Sequence, residues 1–93
     1  MKDYKTTHEE NLKRLARIEG QVRGLQRMIA EGEYCIDIIT QIQAVRAALK
    51  SVSRNILKKH IEHCLFDAAK SGDEADMRVK IDEILKVLKR GSI

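Results

Sequence analysis

Proline and tryptophan are missing from this sequence, phenylalanine occurs once, and cysteine only twice. Without proline the commonest helix breaker is gone, which suits a chain that is helical throughout. The scarcity of aromatics leaves an apolar payload that is almost entirely aliphatic. Two cysteines make no disulfide framework for a secreted mini-protein unless they pair, and their placement argues against pairing within one chain. No apolar run approaches a signal peptide or a membrane span, so the expected compartment is the cytoplasm, where free thiols persist. Catalytic signals are lacking too. There is no nucleotide-binding loop, no nucleophile elbow around a serine and no acid–base pair with a cleft to hold it. The expectation is a protein that is not an enzyme.

What remains is a lean chain of 93 residues, read as a single domain over 1–93 with residues 1–8 as a flexible polar tail. So short a chain buries a smaller fraction of its surface than a larger domain, and oligomerisation is a common remedy. The net charge of +4 and a pI near 9.2 permit a nucleic-acid partner without demanding one. Distribution says more. Arg46, Lys50, Arg54, Lys58 and Lys59 fall in one stretch that contains no acid, and KRLARIEGQVRGLQR carries Lys13, Arg14, Arg17, Arg23 and Arg27. Such clusters either form the electrostatic footprint of a DNA-binding face or decorate a solvated helix.

The apolar positions set three helices. Leu12, Leu15, Ile18, Val22, Leu25, Met28 and Ile29 recur at helical spacing, predicting a first helix over about 8–30. Thr7 is its expected cap, with Glu10 at the third helical position, and Gly32 its stop. Gly20 and Gly24 lie four apart on one face, where another helix could approach closely. A second helix runs from near Glu33 to SGDE at 71–74, with Ile36, Ile39, Ile42, Val45, Leu49, Val52, Ile56 and Leu65 as its stripe. At 1.5 Å per residue such a helix is on the order of 50 Å long. Short flanking helices cannot cover both its ends, so the stripe predicts helix-against-helix association between subunits. Met77, Ile81, Ile84, Leu85 and Leu88 predict a third, amphipathic helix over about 75–90, ending at Gly91.

The chemistry-bearing residues sit on the second helix. His60 and Cys64, in HIEHC, are four apart and share a face. At about 100° per residue, both return to within about 20° of the direction of Cys35. Yet Cys35 and His60 are about 37 Å apart along the rise. The three meet only if two copies of the helix pack antiparallel, which would create two identical sites about a two-fold axis. Two thiolates and one imidazole form a soft set without an obvious fourth ligand, which fits Cu(I) better than tetrahedral structural zinc. Two other readings stay open: buried thiols that merely pack, and a redox pair formed by Cys35 and Cys64 of different subunits. His63 points about 80° off the shared face, and His8 is an extra ligand only if the tail folds over. Tyr34 adjoins Cys35 and either packs or supports the site.

RLARIEGQVRGLQRMI, YCIDIITQIQAVRAAL and HIEHC together resemble the copper-sensing repressor family, which also includes nickel/cobalt and formaldehyde sensors. The resemblance covers about residues 10–90. It implies an all-α, three-helix protomer, an antiparallel dimer forming a four-helix bundle, and a dimer of dimers. It implies a repressor that binds double-stranded operator DNA without metal and releases it on binding one Cu(I) per protomer. Cys35, His60 and Cys64 match the family's Cu(I) ligands and Tyr34 its outer-shell tyrosine. Glu83 matches an outer-shell glutamate after a few extra residues are allowed in the preceding loop. Arg14 and Arg54 resemble DNA-binding residues, with Arg17 added from the same basic cluster, while Ser51 stands where the family carries another arginine. The N-terminal histidine of nickel/cobalt members is replaced by Asp3, with His8 out of register, and formaldehyde sensors carry an N-terminal proline that is absent here. Persulfide sensors lack the histidine found at His60. Copper is the leading effector, with persulfide, aldehyde or nickel/cobalt sensing as alternatives within the family, and a metal buffer without DNA as the alternative outside it.

Overall fold

The computed structural model describes residues 8–91, apart from the side chain of Leu65. The expected Thr7 cap, Asp3 and the tail before His8 lie outside the described residues, as does the contribution of Leu65 to the stripe. Three helices follow in order: α1 (Glu9–Ala30), α2 (Cys35–Ser71) and α3 (Glu74–Arg90). The all-α, three-helix chain with a long central helix matches the expectation. None of these helices is long and apolar enough to cross a membrane.

The N-terminus of α1 departs from the expected capping box. His8 is the N-cap and makes no side-chain cap bond; its carbonyl accepts from the N–H groups of Asn11 (2.9 Å) and Leu12 (3.3 Å). Glu10 is therefore the second helical residue, not the third. Glu9 and Glu10 in the first turn instead suit the positive end of the helix dipole.

The stop at Gly32 holds. Glu31 is the C-cap and Gly32 has φ 68°, a left-handed conformation that glycine adopts without a Cβ penalty. The Gly32 N–H donates to the Ile29 carbonyl (3.1 Å) and the Glu33 N–H to the Met28 carbonyl (2.9 Å), the paired closing bonds of a Schellman motif. Gly72 is also left-handed, φ 70°, and its N–H donates to the Ala68 carbonyl at 3.1 Å at the end of α2. Asp73 then caps α3, its carboxylate accepting from the Asp76 N–H at 3.1 Å.

The chain divides into two compact units that share α2. In His8–Val52, Ile18, Val45 and Val52 form the buried core, with Leu25 and Ala48 packed against it. Ile18 and Leu25 are seven apart, as are Val45 and Val52, so α1 and this part of α2 each offer one face to the other. Each fully buried aliphatic side chain stabilises such packing by about 1.5–3 kcal/mol. Asn11 is buried with them. In the unit that starts at Ser53, the buried positions are Cys64 and Ala68 on α2 and Lys80 and Ile84 on α3. On each helix they stand four apart, again one face.

A large apolar surface stays open. On α1 the expected stripe splits: Ile18 is buried, whereas Leu12, Leu15, Val22 and Ile29 are exposed. On α2, Ile36, Ile39, Ile42, Leu49, Ile56 and Phe66 are exposed. Apolar residues spread around a helix are the mark of an element covered on more than one side.

Candidate metal centre

His60 and Cys64 lie one turn apart on α2, and the Cys64 Sγ is 3.4 Å from the His60 Nδ1. Cys64 is only 8% exposed and His60 is half-buried. Helical periodicity places the pair; the burial of Cys64 holds the thiol on that face. A sulfur and an imidazole nitrogen at this separation can both serve one soft ion. Neither cysteine is in a disulfide.

Cys35 is the first residue of α2 and is exposed. Tyr34 immediately precedes it and opens the helix, its carbonyl accepting from the Asp37 (3.0 Å) and Ile38 (3.2 Å) N–H groups. Its phenol side chain is exposed. Glu83, on α3, is exposed as well. His63 is half-buried. The Nδ1 of His8 is buried and has no hydrogen-bond partner among the described residues.

Within one chain, among the described residues, no group of three or more Cys, His, Asp or Glu side chains converges as a metal site. The protomer brings together His60 and Cys64, two of the three expected donors.

The basic residues are displayed to solvent. Arg14, Arg17 and Arg54 are all exposed, and the Arg14 guanidinium donates to the Asn11 Oδ1 at 3.4 Å. Arg23 is engaged with Glu19 at 2.7 Å in an exposed ion pair. The buried Asn11 stands outside the apolar pattern of α1. Its only signal was position: it lies seven residues before Ile18, on the packed face of α1.

An all-α protomer with a thiol–imidazole pair on its long helix and exposed arginines on its surface has the features of a metal-responsive regulator. A family described as metal-sensitive transcriptional repressor matches residues 7–90. The chain belongs to that family. It is 46% identical over 90 residues to the copper-sensing transcriptional repressor CsoR of Bacillus subtilis, covering 95% of this chain and 86% of the relative. It is 40% identical to the copper-sensing repressor CsoR with Cu(I) from Geobacillus thermodenitrificans NG80-2, at a TM-score of 0.79 over 97% of this chain and 91% of that one. The nickel-responsive transcriptional regulator InrS aligns at a TM-score of 0.76 and 32% identity, over 97% of this chain and 98% of that one.

Proposed function

We propose that this protein is a cytoplasmic Cu(I)-responsive repressor that holds operator DNA when metal-free and releases it when Cu(I) binds. The observation that carries this reading is the 3.4 Å approach of the Cys64 Sγ and the His60 Nδ1. Cys35 of a second protomer would complete the set, giving two thiolates and one imidazole per ion and one Cu(I) per protomer. Thiolate ligands select Cu(I) over nickel, which is better served by nitrogen and oxygen donors. Tyr34 and Glu83 would act in the outer shell, holding the ligands and linking them to α3.

The antiparallel dimer has physical support in the exposed side chains. Ile39, Ile42 and Leu49 are exposed and fall within about 40° of the direction of Cys35 at 100° per residue. Ile56 is exposed too and stands four residues before His60 on the same side of α2. Pairing these faces between two protomers would bury the aliphatics and bring the cysteine of one to the His–Cys pair of the other. A dimer of such dimers would display four sets of Arg14, Arg17 and Arg54 to the phosphates of the duplex, positioning the protein on DNA without reading bases.

Coupling requires that Cu(I) and DNA favour different arrangements of the same oligomer. The test is operator affinity with and without one equivalent of Cu(I) per protomer. A fall of tenfold or more, about 1.4 kcal/mol of coupling, is expected. Unchanged affinity sinks the reading.

One observation favours a second reading. Cys35 is an exposed free thiol, accessible to sulfane sulfur or aldehyde. Mass spectra of protein treated with persulfide separate the two: a stable link between Cys35 and the partner protomer's Cys64, with DNA release, would favour thiol sensing.

A further inference from the structure

Two adjoining cavities lie along α1 in the unit His8–Val52. One, of about 420 Å³, is lined by Arg17, Gly20, Gln21, Gly24, Arg27 and Gln41 among others. The second, of about 260 Å³, is lined by Arg14, Arg17, Gln21 and Ser51 among others. Arg17 and Gln21 line both, so the cavities form one groove. No carboxylate lines either of them.

We propose that this groove receives the sugar–phosphate backbone of duplex DNA, extending the interface from Arg14 and Arg17 to Gln21 and Arg27. The proposal rests on the operator-binding reading above. Four features support it. Charge comes first: three guanidinium groups and two side-chain amides line the groove with no acid among them, while Arg23, the other arginine of this helix, is tied to Glu19 at 2.7 Å. Separation of faces is second. At 100° per residue, Arg14, Arg17, Gly20, Gln21, Gly24 and Arg27 occupy a sector of about 140° on α1. The exposed aliphatics Leu12, Leu15, Val22 and Ile29 occupy the opposite sector, so burying those side chains in a subunit contact leaves the groove open.

Third is the floor. A Cβ at Gly20 would meet no atom within 4 Å, and one at Gly24 would meet only the Arg27 Nη2, at 3.7 Å. Two glycines in a helix interior weaken it and here satisfy no packing requirement within the chain. They lower the wall where a backbone would lie, with the Arg27 guanidinium beside it. Length is last. Arg14 to Arg27 spans about 20 Å of helix axis, the axial length of about six base pairs at 3.4 Å per strand step.

The test uses the full-length protein and duplex DNA from immediately upstream of its own gene, titrated across a salt series. Arg27→Gln is expected to weaken binding by about three- to tenfold and to lower the slope of log affinity against log salt by about one. Gly20→Leu, placed in open space and favoured by helix propensity, is expected to unfold no earlier than wild type and to weaken DNA binding more than about tenfold by filling the groove. Should that variant misfold, Arg27→Gln alone decides. Arg54→Gln, outside the groove, separates the two claims. If it weakens binding while Arg27→Gln leaves affinity and slope unchanged, the groove is overturned and the operator reading stands. If wild-type protein binds neither this duplex nor a mixed-sequence one at low salt, both are overturned.

Discussion

His60 and Cys64 face each other across one turn of α2 with 3.4 Å between Nδ1 and Sγ, whereas the second thiol, Cys35, opens the same helix 25 residues earlier. The first relationship needs only helical geometry. Under the proposed function, the second would be supplied by another protomer.

That division makes the ligand set testable by mixing. Cys35→Ala and His60→Ala should each abolish tight Cu(I) binding on their own. Unfolded together and refolded as an equal mixture, they should regain about a quarter of the sites, because a two-fold heterodimer carries one intact pair of half-sites. Anaerobic Cu(I) titration reads the recovery. A mixture that stays inactive would argue for ligands within a single chain.

Association should depend on the exposed aliphatics of α2. Leu49→Asp alters a side chain that is 43% exposed in the protomer, so the protomer keeps its helices. The oligomer loses the burial of the 43% of that side chain still exposed, worth about 0.6–1.3 kcal/mol per copy, and gains a desolvated carboxylate. Sedimentation should show a shift toward monomer at micromolar protein, accompanied by weaker Cu(I) binding.

Glu83 offers a way to separate binding from signalling. Glu83→Ala removes no donor of the Cys–His–Cys set, so Cu(I) stoichiometry should persist while the ratio of DNA affinities with and without metal shrinks toward one. A ratio equal to that of wild type would remove Glu83 from the outer shell.

The start of α3 rests on the Asp73 carboxylate and the Asp76 N–H, 3.1 Å apart. Asp73→Ala should cost about 1 kcal/mol, read as a lower urea midpoint with an unchanged slope. Asp73→Asn should recover most of it, since an amide oxygen accepts the same bond.

Gly32 has φ 68° within the closing bonds of α1. Gly32→Ala should destabilise the chain by about 1 kcal/mol or more through strain in a left-handed conformation. Hydrogen exchange should show the loss at the Gly32 and Glu33 amides.

Much of this protein follows from spacing in the chain. The stops at Gly32 and Gly72, the bounds of α2 to within two residues and the placing of His60 beside Cys64 all come from local rules: the 3.6-residue period, and a backbone that turns left-handed most cheaply at glycine. The N-terminus of α1 did not follow: Thr7 with Glu10 is the stronger local capping signal, yet the helix begins after His8, which makes no side-chain cap bond.

Tertiary structure decided which apolar side chains the protomer buries for itself. Ile18 and Leu12 look alike in the pattern, yet one is 6% and the other 67% exposed. Val45 is buried while Ile42, three residues earlier, is open. Periodicity fixes the angles between side chains on a helix but not the rotation at which one helix meets the next, and that rotation comes from the sum of packing contacts. The same choice leaves Arg14, Arg17 and Arg27 of α1 lining a groove and Ile39, Ile42 and Leu49 of α2 facing outward.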